Sequence, residues 1–209
     1  HVLVDKFQDN YFGFYALRTL LDMGADANLM TKENETPLFI LIKKIYQPRT
    51  KYDIFAYRKL AIQILIKLTN DDNINAYNSH QANTLTILLL RCNMGFQNCF
   101  AELFKKNIRI LTNKEIKTGT INHIISTPVH LATTLVANEE GFEVFKMLLN
   151  KAISQGFSVN EKNSWGETPL HKIIGSLYNH SNFPNSYLIK KKVFFLLLDL
   201  GADLYAVEN

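Results

Sequence analysis

Glu167-Thr168-Pro169-Leu170-His171-Lys172-Ile173-Ile174 (ETPLHKII) joins a helix-start signal to an apolar pattern. Thr caps a helix by accepting a hydrogen bond from a backbone N–H one turn ahead. Pro fits the first turn, where its missing N–H costs nothing. Three other stretches have the same form: ETPLFILI from Glu35, NTLTILLL from Asn83 and STPVHLAT from Ser126. With Thr36, Thr84, Thr127 and Thr168 as the cap positions, the spacings are 48, 43 and 41 residues.

Helix stops alternate with these starts. LRTLLDM runs into Gly24-Ala25-Asp26, and FFLLLDL runs into Gly201-Ala202-Asp203. Glycine supplies the left-handed residue that ends a helix without strain. ELFKKNIRIL places Asn107 at that position, the next-best left-handed residue, and MLLNKAISQGFSVN stops about a turn later at Gly156. Each unit is therefore expected to hold two short helices. Such pairs cannot bury their apolar faces alone, so the expected architecture is an all-α solenoid of stacked pairs. The expected units are a partial one over 1–30, then 31–78, 79–111, 112–160 with an extended finger, and 161–203. A further unit begins at 204–209, where GADLYAVEN parallels GADANLMTKEN from Gly24 and suggests that the natural chain continues.

At these residues the chain resembles the ankyrin repeat family. TPLH stands intact at Thr168 to His171, with Thr36-Pro37 and Thr127-Pro128-Val129-His130 close to the family pattern. GFEVFKMLL from Gly141 resembles the family's second helix, and FSVNEKNSWGETPLH from Phe157 its turn into the next repeat. The resemblance spans nearly the whole chain. It implies stacked helix–turn–helix pairs with β-turn or hairpin fingers. It also implies that His130 and His171 tie neighbouring turns to backbone, while Phe39 and Ile87 stand at that position elsewhere. Function would be protein–protein recognition on a concave face of finger tips and inner helices, without catalysis.

The units exceed the family's period of about 33 residues. The excess lies at Lys43 to Leu60, Ser176 to Lys192 and Arg109 to Ser126, and the last suggests a hairpin around Thr118-Gly119. Pro48 and Pro184 support extended loops or lengthened helices. Insertions of this kind cost little entropy; they could equally reshape a binding surface.

Composition narrows the function classes. Hydrophobic residues make up 47% and charged residues 20% of the 209, a folded profile. A net charge of +4 is too weak to argue for nucleic acid. The run Lys190-Lys191-Lys192 reads as a solvated helix start or an anion or membrane contact. No apolar run reaches the ~20 residues that cross a bilayer. Cys92 and Cys99 lack the spacing and partners of a zinc site, which suits buried thiols in a reducing, cytoplasmic setting. His80 and His123 fall in expected turns and His180 in a loop, none with metal-ligand spacing. Asp71-Asp72 and Glu139-Glu140 read as solvated loop carboxylates, or the latter pair as a helix N-terminal preference. No metal, cofactor, small-molecule substrate or catalytic residue is expected.

Trp165, the one tryptophan, falls at a turn tip before Gly166. It is either an interface anchor or a side chain folded onto a neighbouring finger. Lys162, Ser164 and Glu167 surround it. Corresponding surface positions hold Met30, Lys32, Glu33, Lys43, Lys44 and Tyr46 in one unit and Tyr77 and His80 in the next. The abundance of Asn, Ile and Lys in degenerate, insertion-rich repeats resembles effectors of intracellular bacterial pathogens and poxviral ankyrin proteins, which implies a host protein as partner. Recruitment of substrate for a catalytic domain outside these residues is the alternative.

Overall fold

The computed structural model describes residues 2–45, 56–80, 82–91, 96–109, 116–118, 121–124, 127–178 and 184–207. Tyr46, Pro48, Cys92, Gly119 and His180 lie outside these residues. The described chain is helical apart from one hairpin and falls into two compact units, His1–Ile108 and Arg109–Asn209.

In the first unit, α1 (Val2–Asp5), α3 (Pro37–Lys43) and α6 (Thr84–Arg91) pack as one row. A second row holds α2 (Tyr11–Asp22), α4 (Ala56–Leu68) and α7 (Gln97–Phe104). The short α5 (Asp71–Asn75) precedes α6. Because α1, α4 and α6 all pack on α3, every residue from Pro37 to Ile42 is buried, as an apolar helix requires. The outer α4 buries one stripe, including Ala61, Ile62, Leu65 and Ile66. In α2 only Leu17 is buried.

The second unit opens with an antiparallel hairpin, β1 (Ile116–Thr118) and β2 (Ile121–Ile124). His123 lies in β2 and not in a turn. Next come α8 (Pro128–Ala132), which runs into a 3-10 turn at Thr133–Leu135, then α9 (Glu139–Ser154), α10 (Pro169–Tyr178) and α11 (Pro184–Asp199). Here α8 packs on α10 and α9 on α11, with α8–α9 and α10–α11 as the pairs. Val144, Phe145, Leu148, Leu149, Val193 and Leu197 form the core between them.

Helix starts follow the Thr-Pro chemistry with one shift of register. Thr36, Thr127 and Thr168 accept from the backbone N–H of Phe39 (3.1 Å), His130 (3.5 Å) and His171 (3.4 Å). In the NTLT stretch the cap is Asn83, whose Oδ1 accepts from Thr86 N–H at 2.9 Å, and Thr84 is the first helical residue. Asn83 therefore stands where Thr36 stands, Thr84 where Pro37 stands, and Thr86 rather than Ile87 where Phe39 stands. Asn caps as well as Thr does, so adjacent Asn and Thr left the register ambiguous.

Stops at Gly24, Gly156 and Gly201 have φ of 90°, 89° and 89°. Asn107 does not match them: the one described non-glycine with positive φ is Asn34. Instead α7 tightens, with Lys105 N–H bonded to Glu102 O and Lys106 N–H to Leu103 O. Asp71 and Asp72 occupy the first turn of α5, capped by Asn70, and are not in a loop. The lysine run sits mid-helix in α11. Lys190 is buried and donates to the Ser176 carbonyl near the end of α10 (2.9 Å), so burial lowers its pKa. The chain spends the Ser176–Lys192 excess largely on lengthening α10 and α11.

Candidate functional site

The fingers that join successive repeats share one construction. Thr31, Asn78 and Asn163 each close a turn by donating the backbone N–H to the carbonyl four residues on, at Glu35, Ala82 and Glu167 (3.0, 3.0 and 2.9 Å). Each side-chain oxygen then accepts from the N–H groups two and four residues ahead. For Asn163 these are Trp165 N–H at 2.9 Å and Glu167 N–H at 3.0 Å. A turn closed three ways has its polar backbone satisfied and its tip fixed. The third turn position after the anchor takes a left-handed conformation at Asn34 (φ 59°) and Gly166 (φ 77°).

A second device fastens each finger to the following helix end. Asn28, Asn75 and Asn160 each lie three residues before a turn anchor. Asn28 Nδ2 donates to Leu68 O (3.3 Å) while its Oδ1 accepts from Asn70 N–H (2.7 Å). Asn160 does the same with Gly201 O (3.0 Å) and Asp203 N–H (2.8 Å), and Asn75 Nδ2 donates to Asn107 O (2.8 Å). None of these asparagines was singled out in the sequence. Their signal was internal: each stands seven residues before Glu35, Ala82 or Glu167.

The imidazoles add a third tie in the second unit. A carbonyl oxygen only accepts, so His130 Nε2 donates to Glu167 O (2.9 Å) and His171 Nε2 to Ala206 O (2.9 Å). Each Nδ1 then accepts from its own cap hydroxyl, Thr127 at 2.7 Å and Thr168 at 2.8 Å. Burial pushes the His130 pKa down to about 4, so the ring is neutral. In the first unit Thr86 stands at the same position and makes the local bond alone, its hydroxyl donating to the cap Asn83 Oδ1 (3.0 Å).

Against this frame the surface residues sort by what holds them. Trp165 is 48% exposed on the turn, and the Lys172 ammonium lies 5.4 Å from its ring centroid. That lysine, absent from the sequence-derived set, belongs to the Trp165 repeat itself and also pairs with Glu167 at 3.3 Å. Burial pushes the Glu167 carboxyl up, but the Asn163 amide (2.7 Å) and Lys172 outweigh it and hold it low. Glu167 is thus a turn brace. Ser164 and Lys162 are exposed on the same finger, with the Lys162 ammonium on Val207 O (2.8 Å).

In the first unit, Lys32, Glu33 and His80 are exposed on two fingers joined by Ser79 N–H to Glu33 O (3.1 Å); Met30 and Tyr77 are half-buried. Lys43 and Lys44 are exposed, as surface positions should be, and each has a partner in the fold. Lys43 reaches the Glu35 carboxylate (2.8 and 3.0 Å), and Lys44 pairs with Asp5 and its carbonyl. Glu35 is itself buried and accepts from Asn78 Nδ2 (3.0 Å). Cys99 is buried, which pushes its thiol up to about 12, far from a nucleophile. Among the described residues no group of three or more His, Cys, Asp or Glu side chains could hold a metal ion, and no helix is long and apolar enough to cross a membrane.

No protein-family model matches the chain. A stretch of 176 residues, 84% of the chain, is 30% identical to the Plasmodium falciparum (isolate 3D7) protein named "Putative E3 ubiquitin-protein ligase protein PFF1365c", of whose length it spans 1%. EF0377, an ankyrin repeat protein of known crystal structure, superposes with TM-score 0.54 at 18% identity, over 92% of this chain and 77% of that one. One chain of the Bdellovibrio bacteriovorus complex of the predatory endopeptidase Bd0816 with the immunity protein Bd3460 superposes with TM-score 0.55 at 16% identity. That match covers 98% of this chain and 84% of the other. With its Thr-Pro helix starts, glycine stops and backbone-tied fingers, the chain has the ankyrin-repeat fold.

Proposed function

We propose that this segment is a protein-recognition module, without a catalytic step of its own, and that the second unit's finger and α10 carry the docking surface. The observation that carries it is Trp165: a large ring, half exposed, on a turn whose backbone is already fixed. An anchor held in place before docking loses little entropy on binding, and aromatic anchors supply much of the energy of interfaces.

Gly175 supports the same face. It is exposed inside α10, three residues from Lys172 and so on the same side of the helix. A Cβ there would meet nothing within 4 Å. Glycine costs a helix interior about 1 kcal/mol relative to alanine, and no contact among the described residues requires it. A partner backbone approaching α10 beside Trp165 would.

Affinity capture from lysate tests this with three baits. Proteins retained by the wild-type bait should fall at least tenfold on the Trp165→Ala and Gly175→Leu baits; Gly175→Ala, used only in a melting experiment, should raise the melting temperature. An identical catch from all three baits contradicts the docking surface. The composition of the chain supports a host protein as the partner of a secreted effector. Recruitment of substrate within a longer enzyme is a second reading, favoured by the match to a small segment of a far larger protein named as a ubiquitin ligase.

A further inference from the structure

The two units treat the carboxylate of their turn differently. Glu35 and Glu167 hold the same place, one residue before the cap threonine. In the first unit Lys43, seven residues after its cap, reaches both Glu35 oxygens (2.8 and 3.0 Å), and Asn78 Nδ2 adds a third bond. That carboxylate is closed off, its side chain 7% exposed. In the second unit the seventh position after the cap is Gly175, where a Cβ would meet nothing within 4 Å. The approach that Lys43 fills beside Glu35 is therefore open beside Glu167.

Glu167 is correspondingly more accessible, its side chain 23% exposed. Asn163 Nδ2 (2.7 Å) and the Lys172 ammonium (3.3 Å) both meet Oε2, which leaves Oε1 open among the described residues. The same ammonium lies 5.4 Å from the Trp165 ring centroid. The first unit has Glu33 where Trp165 stands, so only the second unit sets a ring face beside the turn carboxylate. Ring quadrupole and carboxylate charge both attract a cation. Lysine is the weaker fit, because its ammonium is a strongly hydrated point charge on a flexible stem. A guanidinium is planar, stacks on the ring and can span both carboxylate oxygens.

We propose that Trp165 and Glu167 form a receptor site for an arginine side chain of the partner, that Lys172 occupies this site in the free protein, and that the arginine enters over Gly175 and displaces it. Use of the site by a partner rests on the docking role of Trp165; binding of a guanidinium there does not. The displaced lysine regains water on its own stem, so the exchange swaps one cation for a better-fitting one and leaves the carboxylate paired throughout.

Trp165 is the one tryptophan of the chain, so its fluorescence reads this site alone. The probe is N-acetylarginine amide, titrated at constant ionic strength, with N-acetylcitrulline amide as its uncharged isostere. Wild type should respond to the arginine probe and not to the citrulline one. Lys172→Met keeps an apolar stem and removes the competing charge, so the arginine probe should bind it about fivefold tighter or more. Glu167→Gln keeps an oxygen for Asn163 and loses the charge, so in the Lys172→Met background it should abolish that gain. In NMR of the wild type, the Lys172 Hε protons, shielded by the ring, should move to the positions of a solvated lysine as the probe saturates. Equal affinity in wild type and Lys172→Met, an equal response to the citrulline probe, or a Lys172 that stays shielded while the probe binds would each overturn the proposal. So would a response to N-acetylglutamate amide that Lys172→Met abolishes, since Lys172 would then be the recognition group for an acidic partner. None of these titrations requires a partner. An identical lysate catch with Trp165→Ala would remove the docking role and leave the arginine site standing, whereas a failed titration beside a reduced catch would leave Trp165 as an apolar anchor alone.

Discussion

The second unit ties its inner-helix starts to the next finger through His130 and His171. The first unit holds Phe39 and Thr86 at the same positions and cross-links its fingers through the buried Glu35 carboxylate, Asn78 and the Ser79–Glu33 backbone bond. Both units nonetheless close the finger with the same five-residue turn and clamp it with an asparagine three residues earlier. The turn backbone is therefore what the fold demands, and the side-chain tie across to the neighbour is replaceable. Different ties bring different sensitivities, and that is where the units can be told apart.

Acid should separate them most. The folded second unit keeps His130 neutral with a pKa near about 4, against about 6.5 in the unfolded chain. Its stabilising contribution is therefore complete above about pH 6.5 and is lost progressively as the pH falls toward 4, a total on the order of 3 kcal/mol. Amide exchange should show α8 and α10 losing protection between pH 6.5 and 4.5 while α3 and α6 hold. Equal loss in both units would show that the imidazole tie carries no such weight.

The asparagine clamps should behave alike in both units. Asn28→Ala and Asn160→Ala each remove two hydrogen bonds to the next helix end and should cost about 1–2 kcal/mol, read from denaturant midpoints. A large cost at one site and none at the other would break the parallel. The smallest test concerns register. Asn83→Ala should cost about 1 kcal/mol as a lost cap, and more than Thr84→Ala, which removes no cap. The reverse order would restore Thr84 as the cap.

Local chemistry explains what was legible in the sequence. The Thr-Pro starts and glycine stops act within one turn of chain, so Thr36, Thr127, Thr168, Gly24 and Gly201 could be read residue by residue. Asn83 was obscured because its neighbour Thr84 is an equally good cap. Asn107 failed because a helix can also end by tightening, with its last carbonyls accepting from N–H groups three residues on. The fates of Glu35, Lys43 and Lys44 were not legible. Asn78 lies 43 residues from Glu35, and Asp5 lies 39 from Lys44, so no local pattern announces either contact. Trp165 was visible as an oddity, but its contact with Lys172 and the fixed turn beneath it needed the fold.

That Trp165 is presented by a rigid turn before any partner arrives is the claim on which the docking role depends. Backbone ¹⁵N relaxation of Ser164 to Glu167 tests it directly. Order parameters near about 0.85, equal to those of α9 and α10, are the expected result; values below about 0.6 would contradict it.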